Sequence, residues 1–345
     1  MHIHDLLVVG AGPAGMAAAI AARQHQIDCL VLEQGVLVNS IYRFPRHMVF
    51  FTTPDLLELG GLPLVSPYEK PTRHEALRYY RRVADTFQLD IAYGETVLHV
   101  TSERPAPGGA RFAVDTRSGR GVRRVRHARN VVMAIGYYEY PNLIDVPGEG
   151  LPHVSHYYEE AHPYYMQQVV VVGGGNSAAE TSLELYRAGA KVTLVHRHAE
   201  LKPTIKYWVR PDIENRIKEG SVAVRLNSRV VEIRPTTVLI EGPGGQEELH
   251  ADAALLLTGY HADTDLLVRA GVRCDAVTAK PEIDAETFET NVAGLFLAGG
   301  VVAGRDTSNI FIENGRFHGE TIVKVIAERL GRPASAGPRA LRNEQ

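Results

Sequence analysis

The stretch Leu6-Leu7-Val8-Val9-Gly10-Ala11-Gly12-Pro13-Ala14-Gly15-Met16-Ala17-Ala18-Ala19-Ile20 decides the fold. Its first four residues are an apolar run suited to a strand buried in a parallel sheet. The Ala-rich segment after the glycines reads as a helix. A second apolar run, Cys29-Leu30-Val31-Leu32, ends in Glu33. The order is therefore strand, glycine turn, helix, strand, acid. Gly10 suits a tight turn, Gly12 a close approach of backbone to a pyrophosphate, and Gly15 close packing of helix on strand. The helix start offers unpaired N–H groups and partial positive charge to phosphates. Glu33 stands where a carboxylate accepts from ribose hydroxyls and repels a 2′-phosphate. The pattern predicts a dinucleotide site that disfavours NADP.

The pattern returns farther along. Four valines at 169–172 precede Gly173, Gly175 and Ala178, with Ala acceptable at the third position. A helix is expected from Asn176 through Ser177 to Arg187, capped by Gly189. The next strand, residues 191–195, ends in His196-Arg197-His198 rather than an acid. A guanidinium there holds a 2′-phosphate through charge-assisted bonds, so this second site is expected to prefer NADPH. Lys206 adds positive charge nearby. Two dinucleotide sites of opposite preference suggest one resident and one exchanging cofactor, and flavin with nicotinamide is the usual chemical pairing.

Composition is consistent with this. A chain of 345 residues, 45% hydrophobic and 22% charged, suits about two globular domains. A formal charge of −3 offers no footprint for nucleic acid. The fifteen His are scattered without helical metal-ligand spacing, so no metal is expected. Two cysteines, Cys29 and Cys274, make neither a disulfide framework nor a zinc site. Residues 6–22 are apolar but lack a basic leader and are broken by glycines, which argues against a signal peptide. No apolar run is long enough to span a bilayer. A cytoplasmic protein is expected.

Two further strands end in small-residue turns. Residues 131–133 lead into Ala134-Ile135-Gly136, and residues 255–257 lead into Thr258-Gly259. These read as the points where the chain crosses between domains. A third strand, near 295–297, runs into Ala298-Gly299-Gly300, and an apolar helix is expected over about 310–330. Such a helix can aim its positive end at a reduced flavin ring. The Pro-, Ala- and Gly-containing tail from Arg332 is expected to fray.

Gly-Ala-Gly-Pro-Ala-Gly at 10–15, Ala-Ile-Gly at 134–136, Gly-Gly-Gly-Asn-Ser-Ala at 173–178, His-Arg at 196–197 and Ala-Gly-Gly at 298–300 resemble thioredoxin-reductase-type flavoproteins. The resemblance implies an α/β fold of two Rossmann-like dinucleotide-binding domains, the NADPH domain inserted into the FAD domain. It places the FAD domain at 1–138 plus 259–345 and the insert at 139–258. Thioredoxin reductases carry Cys-x-x-Cys before the second glycine turn, whereas Val154-Ser155-His156-Tyr157-Tyr158-Glu159 has no Cys. Without a dithiol relay, their route to a protein disulfide is excluded. Ser40-Ile41-Tyr42 with Pro45, Phe50-Phe51-Thr52-Thr53, the His156-Tyr157-Tyr158 region and Phe311-Ile312-Glu313-Asn314-Gly315-Arg316-Phe317-His318-Gly319 resemble the bacillithiol disulfide reductase family. That likeness implies a homodimeric, FAD-containing, NADPH-dependent reductase of a low-molecular-weight disulfide. Beside the fingerprint residues, it carries Gln34, Ser40, Ile41, Tyr42, Thr52, Val97, Ala134, Ile135, Gly136, Gly300 and Ile312 to the flavin site. Gly259 falls at the crossing.

Two departures bear on activity. Members with a proposed thiol mechanism have Cys where this chain has Ala14, and related reductases have Asp where it has Gly300. Asp306 is a candidate substitute for the latter. No catalytic residue is assigned. The expected acceptor is a small disulfide, reduced directly by the flavin. Tyr137, Tyr138, Tyr140, Tyr157, Tyr158, Tyr164 and Tyr165 are candidates to line its entry, and His156 to supply a proton. The alternatives are a ferredoxin- or flavodoxin-type NADPH reductase acting on a small redox protein, and a nucleotide-sensing flavoprotein without turnover. A monooxygenase is disfavoured.

Overall fold

A computed structural model describes residues 2–102, 111–307 and 309–332, and the tail beyond Arg332 lies outside them. The chain divides into two compact units, Met1–Tyr140 with Tyr260–Gln345, and Pro141–Gly259. The first unit opens with β1 (Ile3–Val9), α1 (Pro13–Gln24), β2 (Cys29–Glu33), α2 (Asn39–Arg43) and α3 (Arg73–Thr86). It continues through β3 (Ile91–Tyr93), β4 (Glu95–Ser102), β5 (Phe112–Ser118) and β6 (Arg123–Met133) to the short crossing strand β7 (Tyr140–Pro141). The inserted unit holds β8 (Val154–Ser155), β9 (Gln168–Val172), α4 (Asn176–Arg187), β10 (Lys191–Val195), α5 (Arg210–Lys218) and β11 (Ala223–Arg225). It ends with β12 (Arg229–Arg234), β13 (Thr237–Gly242), β14 (Gly245–His250) and β15 (Ala253–Leu256). The chain then returns through β16 (Tyr260–His261), α6 (Thr264–Arg269), β17 (Leu295–Leu297) and α7 (Ile312–Arg329).

In the first unit the sheet order is β3-β2-β1-β6-β5-β4, with β17 also on β6. β1, β2, β3, β6 and β17 are parallel, whereas β4, β5 and the first half of β6 form an antiparallel ribbon. The register Val9↔Met133 and Leu297↔Met133 brings three strand ends to one edge. The parallel strands are buried on both faces. Leu7, Val9 and Met133 join one core cluster, while Leu6, Val8 and Val132 join another against α1 and α7. Gly319 permits that helix pair to approach closely, because a Cβ there would lie 2.4 Å from the Ala18 nitrogen.

The inserted unit repeats the plan, with a parallel sheet in the order β11-β10-β9-β15-β8 and a separate antiparallel sheet β12-β13-β14. Its two ends are tied together. Asn142 N–H donates to the Gly259 carbonyl at 2.9 Å, and the Thr258 hydroxyl donates to the Asn142 carbonyl at 2.6 Å. Among the described residues, no helix is long and apolar enough to cross a membrane.

Candidate functional site

At the edge of the first sheet, β1 runs into Gly10 at φ +104°, where a Cβ would lie 2.5 Å from the Ala134 carbonyl oxygen. Gly15 is tighter still, its Cβ position lying 2.0 Å from the Gly10 oxygen. Gly12, by contrast, faces open space. Gly12 is the N-cap of α1, Pro13 is in the first turn, no side chain caps the helix and no acid lies in that turn. The first N–H groups of α1 therefore point to an unfilled approach, which suits an anion. Glu33 closes this turn from the end of β2. Its carboxylate accepts from Ala11 N–H at 2.8 Å and from Gly35 N–H at 2.7 Å. Burial raises its pKa, against the lowering effect of those two bonds. Each oxygen keeps lone-pair capacity for a further donor. Gln34 beside it is exposed.

The head of α7 meets the same turn. Cβ positions built on Gly299 and Gly315 lie 2.7 Å from the Ala14 methyl and 3.2 Å from the Gly299 Cα, respectively. Each polar residue of the motif around Ile312 has a partner here. Asn314 accepts from Phe311 N–H and donates to the Asn309 carbonyl, both at 2.8 Å. Arg316 donates to the carbonyls of Asp55 and Glu58 at 2.8 and 2.6 Å, and buried His318 accepts from Gly299 N–H at 3.2 Å. Buried Thr52 hydrogen-bonds Glu313, whose carboxyl burial pushes up. Ala134, Ile135 and Gly136 (φ +64°) follow β6 directly into this edge.

Other predicted flavin residues sit differently. Ile41 is 2% exposed and packs in the core with Met16, while Val97 packs against the opposite core, so neither has a free side chain to offer. Ser40 lies on α2, and exposed Tyr42 carries Arg73 over its ring at 5.6 Å. Asn39 and Arg43 both hydrogen-bond Glu139, a lock the sequence reading did not anticipate. Gly300 has the Tyr137 ring where a side chain would be, with two ring atoms 2.6 and 2.7 Å from its Cβ position. An Asp there has no room. Asp306 accepts from Asn309 at 2.8 Å.

The inserted unit builds a second glycine turn of the same kind. Gly173 sits at φ +152°, its Cβ position 2.5 Å from the Leu257 oxygen and 3.0 Å from the Ala178 methyl. Anything larger than Ala at 178 would separate helix from strand. Gly175 caps α4 without a side-chain bond, and no acid lies in the first turn. Ser177 is exposed at that end, and Asn176 accepts from Lys206 N–H at 2.8 Å and donates to the Thr204 carbonyl at 3.2 Å. His196 is turned inward, 5% exposed, its ring covering Gly174. Burial, then His198, Arg197 and Lys202, lowers its pKa, so it is neutral and not an anion hook at pH 7. Arg197 is exposed beside it. Lys206 is paired with Glu180 at 2.5 Å. Lys202 was missed in the sequence: its stem passes 3.8 Å from the Gly175 Cβ position and its N–H donates to the Gly174 carbonyl at 2.8 Å. A basic residue in the loop after the second fingerprint strand was the available signal. Gly259 (φ +95°) is at the tied ends of the unit, not at the turn.

Ionisation is disfavoured at both cysteines. Burial, reinforced by Asp28 and Asp90, pushes the Cys29 thiol well up, and burial raises Cys274. Cys29 starts β2, four residues and so roughly 13 Å from Glu33 at the other end. The tyrosines divide. Tyr158 is a core residue whose hydroxyl donates to Glu184 at 2.7 Å, which removes it from any entry. Tyr138 packs edge-on against Phe44 and tilted against Tyr260, and Tyr140 donates to Asp263 at 2.9 Å. His156 sits 3.2 Å from Glu149.

A family described as pyridine nucleotide-disulphide oxidoreductase matches residues 7–299. The chain belongs to this family. It is accordingly an oxidoreductase, a flavoprotein with FAD and a pyridine nucleotide as cofactors, and the two uncapped glycine turns fit two dinucleotides. Within the pyridine nucleotide-disulphide oxidoreductases, the bacilliredoxin reductase Bdr of Bacillus subtilis (strain 168) is 39% identical over 326 residues, covering 94% of this chain and 97% of the relative. The bacillithiol disulfide reductase Bdr (YpdA) from Bacillus cereus superposes with a TM-score of 0.92 at 38% identity, covering 95% and 100% of the two chains. Its namesake from Staphylococcus aureus does so at 0.89 and 36%, covering 95% and 99%.

Proposed function

We propose that this chain takes FAD on its first unit and NADPH on its inserted unit, and reduces a low-molecular-weight disulfide, bacillithiol disulfide being the first candidate. The observation that carries the reading is the likeness to bacillithiol disulfide reductases over nearly the whole chain. Bound FAD supplies the acceptor for a hydride and returns the pair to the disulfide. The chain's own part is to bind and orient. The N–H groups at the head of α1 hold the first pyrophosphate, Glu33 the ribose, and Thr52 with Ala134, Ile135 and Gly136 border the ring. The N–H groups at the head of α4 hold the second pyrophosphate, and Arg197 with Lys202 receives the 2′-phosphate. Overall, NADPH, a proton and the disulfide give NADP and two thiols, with no protein thiol oxidised. A homodimer in the cytoplasm accompanies this reading.

The test is anaerobic NADPH consumption by the FAD-loaded protein, with and without bacillithiol disulfide. Disulfide-dependent turnover supports the proposal. Flavin bleaching without it overturns the small-disulfide assignment. The name of the Bacillus subtilis relative makes an oxidised bacilliredoxin the next acceptor to add.

A further inference from the structure

At the end of the first sheet opposite the glycine turn, three metal-ligating side chains converge. His2 and His4 are two residues apart where β1 begins, so their side chains leave the backbone on one face. Asp28 immediately precedes β2, which pairs with β1 from Leu6↔Cys29 onward. Its Oδ2 lies 2.8 Å from His2 Nε2 and 3.1 Å from His4 Nδ1. One ligand atom from each residue falls within 4.8 Å of the other two.

We propose that His2, His4 and Asp28 form a binding site for one divalent d-block cation of the zinc type. Donors about 2.0–2.2 Å from such an ion lie roughly 2.8–3.6 Å from each other, in tetrahedral or octahedral arrangement. The two imidazole-to-carboxylate separations are already near that range, so only the two rings must close up. Two imidazoles and one carboxylate select zinc, cobalt, nickel or copper over magnesium or calcium, which prefer oxygen. The donors are accessible, with the His2 and Asp28 side chains 68% and 46% exposed, and water completes the coordination on the outer side. His4 is more enclosed, its side chain 12% exposed. The nearby cation, Arg126, is turned to Glu95 by two bonds of 3.0 Å. A bound ion joins the starts of β1 and β2 and leaves the nucleotide edge untouched.

The test is calorimetric titration of the full chain, without a polyhistidine tag, with zinc chloride, and visible absorption with cobalt chloride. One equivalent is expected to bind, with ligand-field bands for cobalt and no heat from magnesium chloride. Partners outside the coordination shell are worth about 10–100-fold in affinity, and loss of a ligand costs no less. His2→Ala, His4→Ala and Asp28→Asn are each expected to weaken zinc at least about tenfold, while His47→Ala leaves it unchanged. His2 is exposed, so its variant retains the fold. Absence of binding, or equal affinity in all five proteins, overturns the site and leaves only adventitious binding to scattered histidines.

Discussion

Gly300 and Tyr137 make a paired test of how the flavin edge is packed. A methyl at 300 meets the Tyr137 ring at 2.6 Å, and ordinary contact begins at 3.4 Å, so the ring must retreat by about 0.8 Å. Tyr137 is half-buried against the first core cluster and has little slack. Overpacking of this kind costs about 1–3 kcal/mol. Tyr137→Ala alone loses aromatic burial, about 3 kcal/mol or less for a ring that is not fully enclosed. In the double variant the methyl enters the space the ring has left. The prediction is that Gly300→Ala with Tyr137→Ala is more stable than the sum of the single effects by at least about 1 kcal/mol. Urea unfolding followed by far-ultraviolet circular dichroism measures this. Trp208, the single tryptophan, lies in the inserted unit, and its fluorescence midpoint should not move. Additivity within about 0.5 kcal/mol refutes the steric argument. An Asp at 300 requires the same vacancy.

Three other outcomes are expected. Ala14→Cys places a thiol at the uncapped head of α1, where its pKa falls below the ordinary value near 8.5. Iodoacetamide at neutral pH should label it at least about tenfold faster than Cys29 or Cys274, as read by peptide mass mapping. Arg197→Ala should raise KM for NADPH by roughly 10–100-fold, the worth of a charged hydrogen bond of about 1.5–3 kcal/mol, and leave KM for NADH unchanged; equal effects on both would remove the 2′-phosphate role. His318 has its pKa lowered from 6.5 by burial, so the unfolded chain binds its proton first as pH falls. Stability should therefore drop as pH falls below 6.5 toward the folded value. His318→Gln, which keeps an acceptor for Gly299 N–H, should lessen the drop in urea midpoint between about pH 7.5 and 5.

The parallel strands and both glycine turns were readable because burial on two faces and backbone approach each demand a narrow set of residues. Gly10, Gly15, Gly173 and Ala178 are small for reasons of geometry that spacing alone reveals. Side-chain direction was not readable. His196 and Arg197 are adjacent in sequence, yet one lies under the turn and the other in solvent, because successive residues leaving a strand point to opposite sides. The same alternation hides the pairing of His2 with His4, since a ligand spacing of two is visible only once the segment is known to be a strand. Tyr158 looked like an entry residue within an aromatic stretch, and its bond to Glu184 depends on α4, beyond local reach.

The tied ends of the inserted unit affect how the chain assembles as it is made. β17 must pair with β6 across an insertion of about 120 residues, and closing so long a flexible loop carries an entropic penalty that grows with the logarithm of its length. When residues 141–259 have already condensed, the Asn142–Gly259 bond brings the two exits together, and the effective loop between β6 and β17 shrinks from about 160 residues to about 40. The saving is about 1 kcal/mol. The newborn chain therefore gains most by completing its middle before its last strand and helix emerge. Substitutions that loosen Asn142 or Thr258 should slow refolding of the outer unit more than they lower its final stability.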